Sequence, residues 1–208
     1  MITNDGIIAT AGILEGFAGA GASHRTLITA ATTATVAGMF AVGGGEWAEA
    51  AAEREAQLAA AEEEAAEIAR QPAVERAELV RYYEEKRLTP QLAREVADQL
   101  MARNAVSAQL ESEHGILEVM SRAETIRAGV GAAIAYLLGA AIPLIVTVAA
   151  PVAVESWLIL AAVVVSLIVT SAIGAHTGHT TLSRTLVRML TVGLGTLAVS
   201  YLIGKLVF

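Results

Sequence analysis

The chain has 208 residues, a mean hydropathy of +0.57, a formal net charge of −7 and only 17% charged residues, where soluble domains carry about a quarter. It contains no cysteine, which excludes disulfide frameworks, thiolate metal sites and thiol catalysis. Almost all its charge falls between Glu46 and Arg127; outside stand only Asp5, Glu15, Arg25, Glu155, Arg184, Arg188 and Lys205. A polar segment set between apolar ones predicts a multi-pass, all-α membrane protein in contact with a lipid bilayer, with no sign of a nucleic-acid partner.

Taken in order, the first 22 residues do not read as a signal peptide. They lack a basic start, carry Asp5, and are interrupted by Glu15. A membrane-spanning helix needs about 20 mostly apolar residues. Asp5–Ala22 and Thr26–Gly45, turning at 21–25, are the first two candidate spans. Their many small residues (Gly12, Gly16, Gly19, Ala31, Gly38) suit close helix contact. Three further spans are predicted near 126–149, 156–175 and 185–205, the first of them containing Pro143.

Five spans place the N-terminal end, the charged middle and the Ala175–Leu182 connection on one face. Arg54, Arg122 and Arg127, near span ends, assign that face to the cytoplasm and suggest a cell (inner) membrane location. His176 and His179, in that connection, read as interfacial loop residues. The domain expectation is therefore spans one and two in 1–45, a cytoplasmic helical domain in 46–123, and spans three to five in 124–208.

The middle is helical by pattern. Ala/Glu-rich 46–70 continues span two as one helix, and Gln71-Pro72 stops it. A second helix follows near 73–87, and a third starts at Thr89-Pro90, with Thr89 as N-cap, and runs to about Val119.

Residues three apart share a helix face. Glu64 and Glu67 point one way, as do Glu75 and Glu78, and the proline turn between the helices can bring the four together. Such a cluster is either a solvated acidic face or a seat for a divalent cation, which all-oxygen ligands suit. Glu111, Glu113 and His114 add a further oxygen–nitrogen group. Glu111-x-x-His114 has the spacing of di-iron carboxylate bundles, but those need a second such motif and a fourth helix. In the first span, Glu15 lies about 15 Å along the helix from Asp5. An ionisable group at that depth marks a pathway by default; the plain alternative is a protonated acid hydrogen-bonded to Thr32 and Thr33 opposite it. The same pairing sets Asp5 opposite Val42–Gly43, near Glu46 in depth.

These residues resemble a known family. NDGIIATAGILEGFAGAGA (4–22) looks like the first span of the vacuolar iron transporter family of iron and manganese transporters, and AGMFAVGGGEWAEAAAERE (37–55) is similar to its second. AYLLGAAIPL (135–144) looks like the start of its third. The order of elements also fits: two spans, a three-helix domain, three spans. The resemblance implies a homodimer, not an enzyme, that moves Fe2+ or Mn2+ out of the cytosol in exchange for protons, with no permanently bound cofactor.

The resemblance further implies that Glu64, Glu67, Glu75 and Glu78 bind metal. Glu113 best matches the family's third-helix glutamate, and a one-residue shift selects His114 instead. The translocation path would include Asp5 and Glu46, with Glu15 holding the ion or carrying the counter-moving proton. The chain departs from the pattern at Val42, where a methionine is expected, and at Ala34, where an acid is expected. Glu15 and Met39 are then the replacement ligands, or selectivity differs. Gln109 and Leu110 stand where the family has methionines. The rival readings are a membrane-anchored metal-binding or sensing protein without transport, and an oxidase built on Glu111 and His114.

Overall fold

In the computed structural model, residues 2–151, 154–177 and 181–207 are described, and all regular structure among them is helical. The elements are α1 (Ile2–Gly19), α2 (His24–Arg70), α3 (Pro72–Glu85), α4 (Pro90–Gln109), a π-helical turn (Leu110–His114), α5 (Arg122–Ala149), α6 (Glu155–Thr177) and α7 (Leu182–Val207). Among the described residues, α2, α5, α6 and α7 are long and apolar enough to cross a membrane. The fifth expected span, α1, has 18 residues and carries Asn4, Asp5 and Glu15; it does not reach that standard. His179 lies outside the described residues.

The chain divides into two compact units: Met1–Glu46 with Ala128–Phe208, and Trp47–Arg127. The first is a helical bundle in which α1 packs on α7 and α6. Its core joins Ile7, Ala11 and Leu14 of α1, Leu27 and Ala31 of α2, Ile159, Val163 and Leu167 of α6, and Leu197 of α7. Outward faces are apolar as well: Leu138, Ile145 and Leu206 are largely exposed. That pattern suits acyl chains rather than water. Lipid offers no hydrophobic gain for pressing helices together, so close backbone approach does the work. A Cβ at Gly204 would collide with the Gly16 carbonyl, and one at Gly6 with the Tyr136 carbonyl.

The small face of α1 is therefore used, but against α5 and α7. Between α1 and α2 the Thr10 and Thr35 hydroxyls meet at 3.3 Å. Thr32 and Thr33, expected opposite Glu15, are exposed, and Glu15 instead borders one cavity with Ser156 of α6. Helical phase explains the difference. Glu15 follows Ile8 and Ala11 by seven and four residues, so it lies on the face of α1 that enters the core.

In the second unit, Pro72 occupies the first turn of α3, where its missing N–H costs nothing. Thr89 caps α4 by accepting from the Leu92 N–H at 3.4 Å. Fully buried Leu79 and Ala97 join the two helices with Ala108. A bidentate Arg76–Asp98 pair adds a surface link.

The third helix does not reach Val119. Asn104 leaves helical geometry (φ −162°, ψ 90°), and its Oδ1 accepts the Ser107 N–H at 3.2 Å, an asparagine competing with the helix for its own backbone. The π turn follows, closed by left-handed Gly115 at φ 67°. From there to Ser121 the chain is non-helical, and the Met120 N–H is held by Gln57 Oε1 at 2.7 Å.

Candidate metal centre

Three segments of the second unit converge. α2 brings Glu64 and Glu67, the first turns of α3 bring Glu75 and Glu78, and the π turn brings Glu113 and His114. One ligand atom from each of Glu64, Glu113 and His114 lies within 4.8 Å of the others. The same holds for Glu64, Glu67 and Glu75, and for Glu75, Glu78 and Glu113. Ligands about 2.1–2.5 Å from a cation stand about 4–5 Å apart across it, so each set matches the dimensions of one ion.

Glu64 is 2% exposed and Glu75 5%. Glu64 Oε1 lies 3.1 Å from His114 Nε2, while its Oε2 is buried without a partner among the described residues. Such an orphan acceptor costs about 1–3 kcal/mol and is itself a sign of fit to a cation. Burial pushes the Glu64 carboxyl up, as do Glu75 and Glu67, against the lowering influence of His114. Glu113 is raised by burial, then by Glu64, Glu78 and Glu75.

The sign of the pH dependence follows. Above the ordinary glutamate value near 4.5, the folded metal-free unit still holds protons that the unfolded chain has released. Its stability must then fall as pH rises through the raised values. Protection factors of the α3 and α4 amides in the metal-free full-length protein, corrected for the base-catalysed intrinsic exchange rate, are expected to rise on acidification from neutral toward pH 5, and Mn2+ is expected to flatten that trend. Protection factors that fall on acidification would contradict it.

Gln109 is a residue that spacing alone passed over as a gap. It is completely buried, and its Nε2 donates to the Glu75 main-chain oxygen at 2.9 Å and to Glu75 Oε2 at 2.7 Å. Its Oε1 accepts from the Ser112 hydroxyl at 3.2 Å. The amide thus ties the start of α3 to the π turn and leaves the other Glu75 oxygen for a ligand. Gln109→Leu is expected to lower Mn2+ affinity about 10–100-fold, the usual cost of losing an outer support, measured by calorimetry on the full-length protein. Its only sequence signal was a polar side chain between Ala108 and Leu110.

Glu111 does not join the ligand sets. It lies near Tyr83 and Lys86, because a π turn, bonded i to i+5, separates residues that an α-helix would stack. Glu111 and His114 do not fall in one ligand set among the described residues. In the first unit Asp5 is exposed, Met39 and Glu46 are half-buried, and Glu15 is buried. The α1–α2 contact at Thr10 and Thr35 sets Asp5 and Met39 toward one end and Glu15 toward the other.

The fold and site define an integral, multi-pass helical membrane protein with an acidic ligand cluster suited to divalent cations. The chain belongs to the VIT family, whose profile matches residues 2–205. It is 32% identical over 179 residues to a protein of Acanthamoeba castellanii named "Vacuolar iron transporter", covering 84% of this chain and 64% of that relative. The chain therefore spans less than two thirds of the length of the relative it matches.

Proposed function

We propose that this protein transports divalent metal, Fe2+ or Mn2+, out of the cytoplasm in exchange for protons, as a homodimer in which α1 is the fifth span and Trp47–Arg127 is cytoplasmic. The observation that carries the reading is the acidic cluster, whose three overlapping ligand sets are shared among Glu64, Glu75 and Glu113, in a chain of the VIT family. The cluster captures the ion and raises its local concentration. Asp5, Met39 and Glu46 form the start of the path, and Glu15 lies farther along it, holding the ion or the counter-moving proton. Carboxylate oxygens replace the water that the ion sheds, and one imidazole, His114, adds an intermediate donor suited to Mn2+ or Fe2+.

Metal uptake into proteoliposomes, with each ion and with or without a pH gradient, tests this reading. Flux that vanishes in Asp5→Asn supports it. Val42 and Ala34 place apolar side chains where the family pattern has ligands, which favours a second reading: a membrane-anchored metal-binding protein. Binding at the cluster without flux would select that one.

A further inference from the structure

A cavity of about 390 Å³ in the first unit is bordered by Glu15 of α1, by Ser156, Trp157 and Leu160 of α6, and by Ala198 and Tyr201 of α7. Trp157 is 74% exposed and Tyr201 41%, so the cavity opens on the apolar outer surface of the bundle. Glu15 is 8% exposed, and its Oε1 is buried without a hydrogen-bond partner among the described residues. At 1.5 Å per residue, Glu15 lies about 6 Å from the end of α1, Trp157 about 3 Å from the start of α6, and Tyr201 about 9 Å from the end of α7. Those helix ends belong to one end of the bundle, since Gly16 packs on Gly204 there. Aromatic residues and phospholipid headgroups share that depth in a membrane.

None of the described residues lining the cavity is basic. A carboxylate taken out of water must be neutralised or paired. A carboxylate oxygen accepts and does not donate, so its partner has to bring a hydrogen and positive charge together. The aromatic rings at the mouth add to that selection, because their faces attract cations. A primary ammonium meets both demands, with three N–H donors and one charge. A quaternary ammonium has the charge and no N–H. In a cavity that opens sideways onto acyl chains, such a group arrives on the headgroup of a lipid.

We propose that this cavity seats the headgroup of a phospholipid bearing a primary ammonium, paired with Glu15 and rimmed by Trp157 and Tyr201. The seat does not rest on the transport reading, since it needs only the charge of Glu15 and the opening of the cavity. Where that reading holds as well, lipid and cargo occupy Glu15 in turn.

The test measures binding of dioleoylphosphatidylethanolamine to the delipidated full-length protein by native mass spectrometry, against dioleoylphosphatidylcholine, which carries the same chains. The expected result is a preference for the ethanolamine lipid on the order of tenfold, the scale of one hydrogen bond to a charged group. That preference is expected to disappear in Glu15→Gln and in Ala198→Trp. The first removes the charge at nearly constant shape. The second keeps the charge and fills the cavity from an exposed position. Either variant decides by itself, at the helical content and elution volume of the parent. Equal binding of the two lipids by the parent, or a preference that survives in a folded variant, overturns the inference. Flux enters neither readout, so failure here is separable from failure of the transport reading.

Discussion

Glu64→Gln is expected to lower the affinity of the full-length protein for Mn2+ by on the order of a hundredfold, about 2.7 kcal/mol, and to depress flux at low metal concentration in step. Glu64 belongs to two of the three ligand sets, with Glu113 and His114 and with Glu67 and Glu75. The substitution keeps the shape and removes a charge from a position that is 2% exposed, where water screens little. Glu63→Gln, one residue away on the exposed face of α2, removes the same formal charge and is expected to change affinity less than twofold. Calorimetric titration of the two variants decides. Equal effects would reduce the cluster to a diffuse acidic surface.

The metal-free Glu64→Gln protein is also expected to be no less stable than the parent. The replaced carboxylate has an unpartnered buried oxygen and acidic neighbours that oppose its ionisation. A site kept for stability would behave the other way. Loss of binding with retained or improved stability is therefore the combination that marks a functional acid.

Gly6→Val is expected to give the largest structural loss, about 3 kcal/mol or more, with a lower melting temperature in detergent and poor recovery of monodisperse protein. A Cβ at Gly6 would run into the Tyr136 carbonyl and come within 2.9 Å of the Ala140 nitrogen. Both obstacles are main-chain atoms in the middle of α5, so they cannot rotate away. Gly195→Ala is the control: nothing lies within 4 Å of its would-be Cβ, and an alanine in a helix gains up to about 1 kcal/mol over glycine. If both variants melt like the parent, the backbone approach of α1 to α5 is not what holds α1 in place.

Much of the helix plan was legible because its signals are local. Charge-free runs outlined α5 to α7, Pro72 and Pro90 marked where α3 and α4 begin, and Thr89 announced its own cap. The third helix was overextended because Asn104 and Gly115 are weak stop signals beside a favourable run of helix formers. Their effect shows only once Asn104 caps Ser107 and Gly115 adopts a positive φ. The surroundings of α1 show the same limit. Adjacency in sequence gives α2 as a partner, and Thr10 does meet Thr35. But Glu15 does not face Thr32 and Thr33, which are exposed, and the glycines of α1 lie against α5 and α7.

By itself the sequence determined which segments are helical and apolar, and that Glu64/Glu67 and Glu75/Glu78 would each share a helix face, since both follow from a repeat of 3.6 residues. Only the tertiary structure decided which acids are buried, that Gln109 braces Glu75, that His114 rather than Glu111 faces Glu64, and that Glu15 borders one cavity with Ser156. Those outcomes depend on the rotation and approach of helices remote in sequence. Small residues and a single irregular turn set that approach, and no local periodicity encodes it.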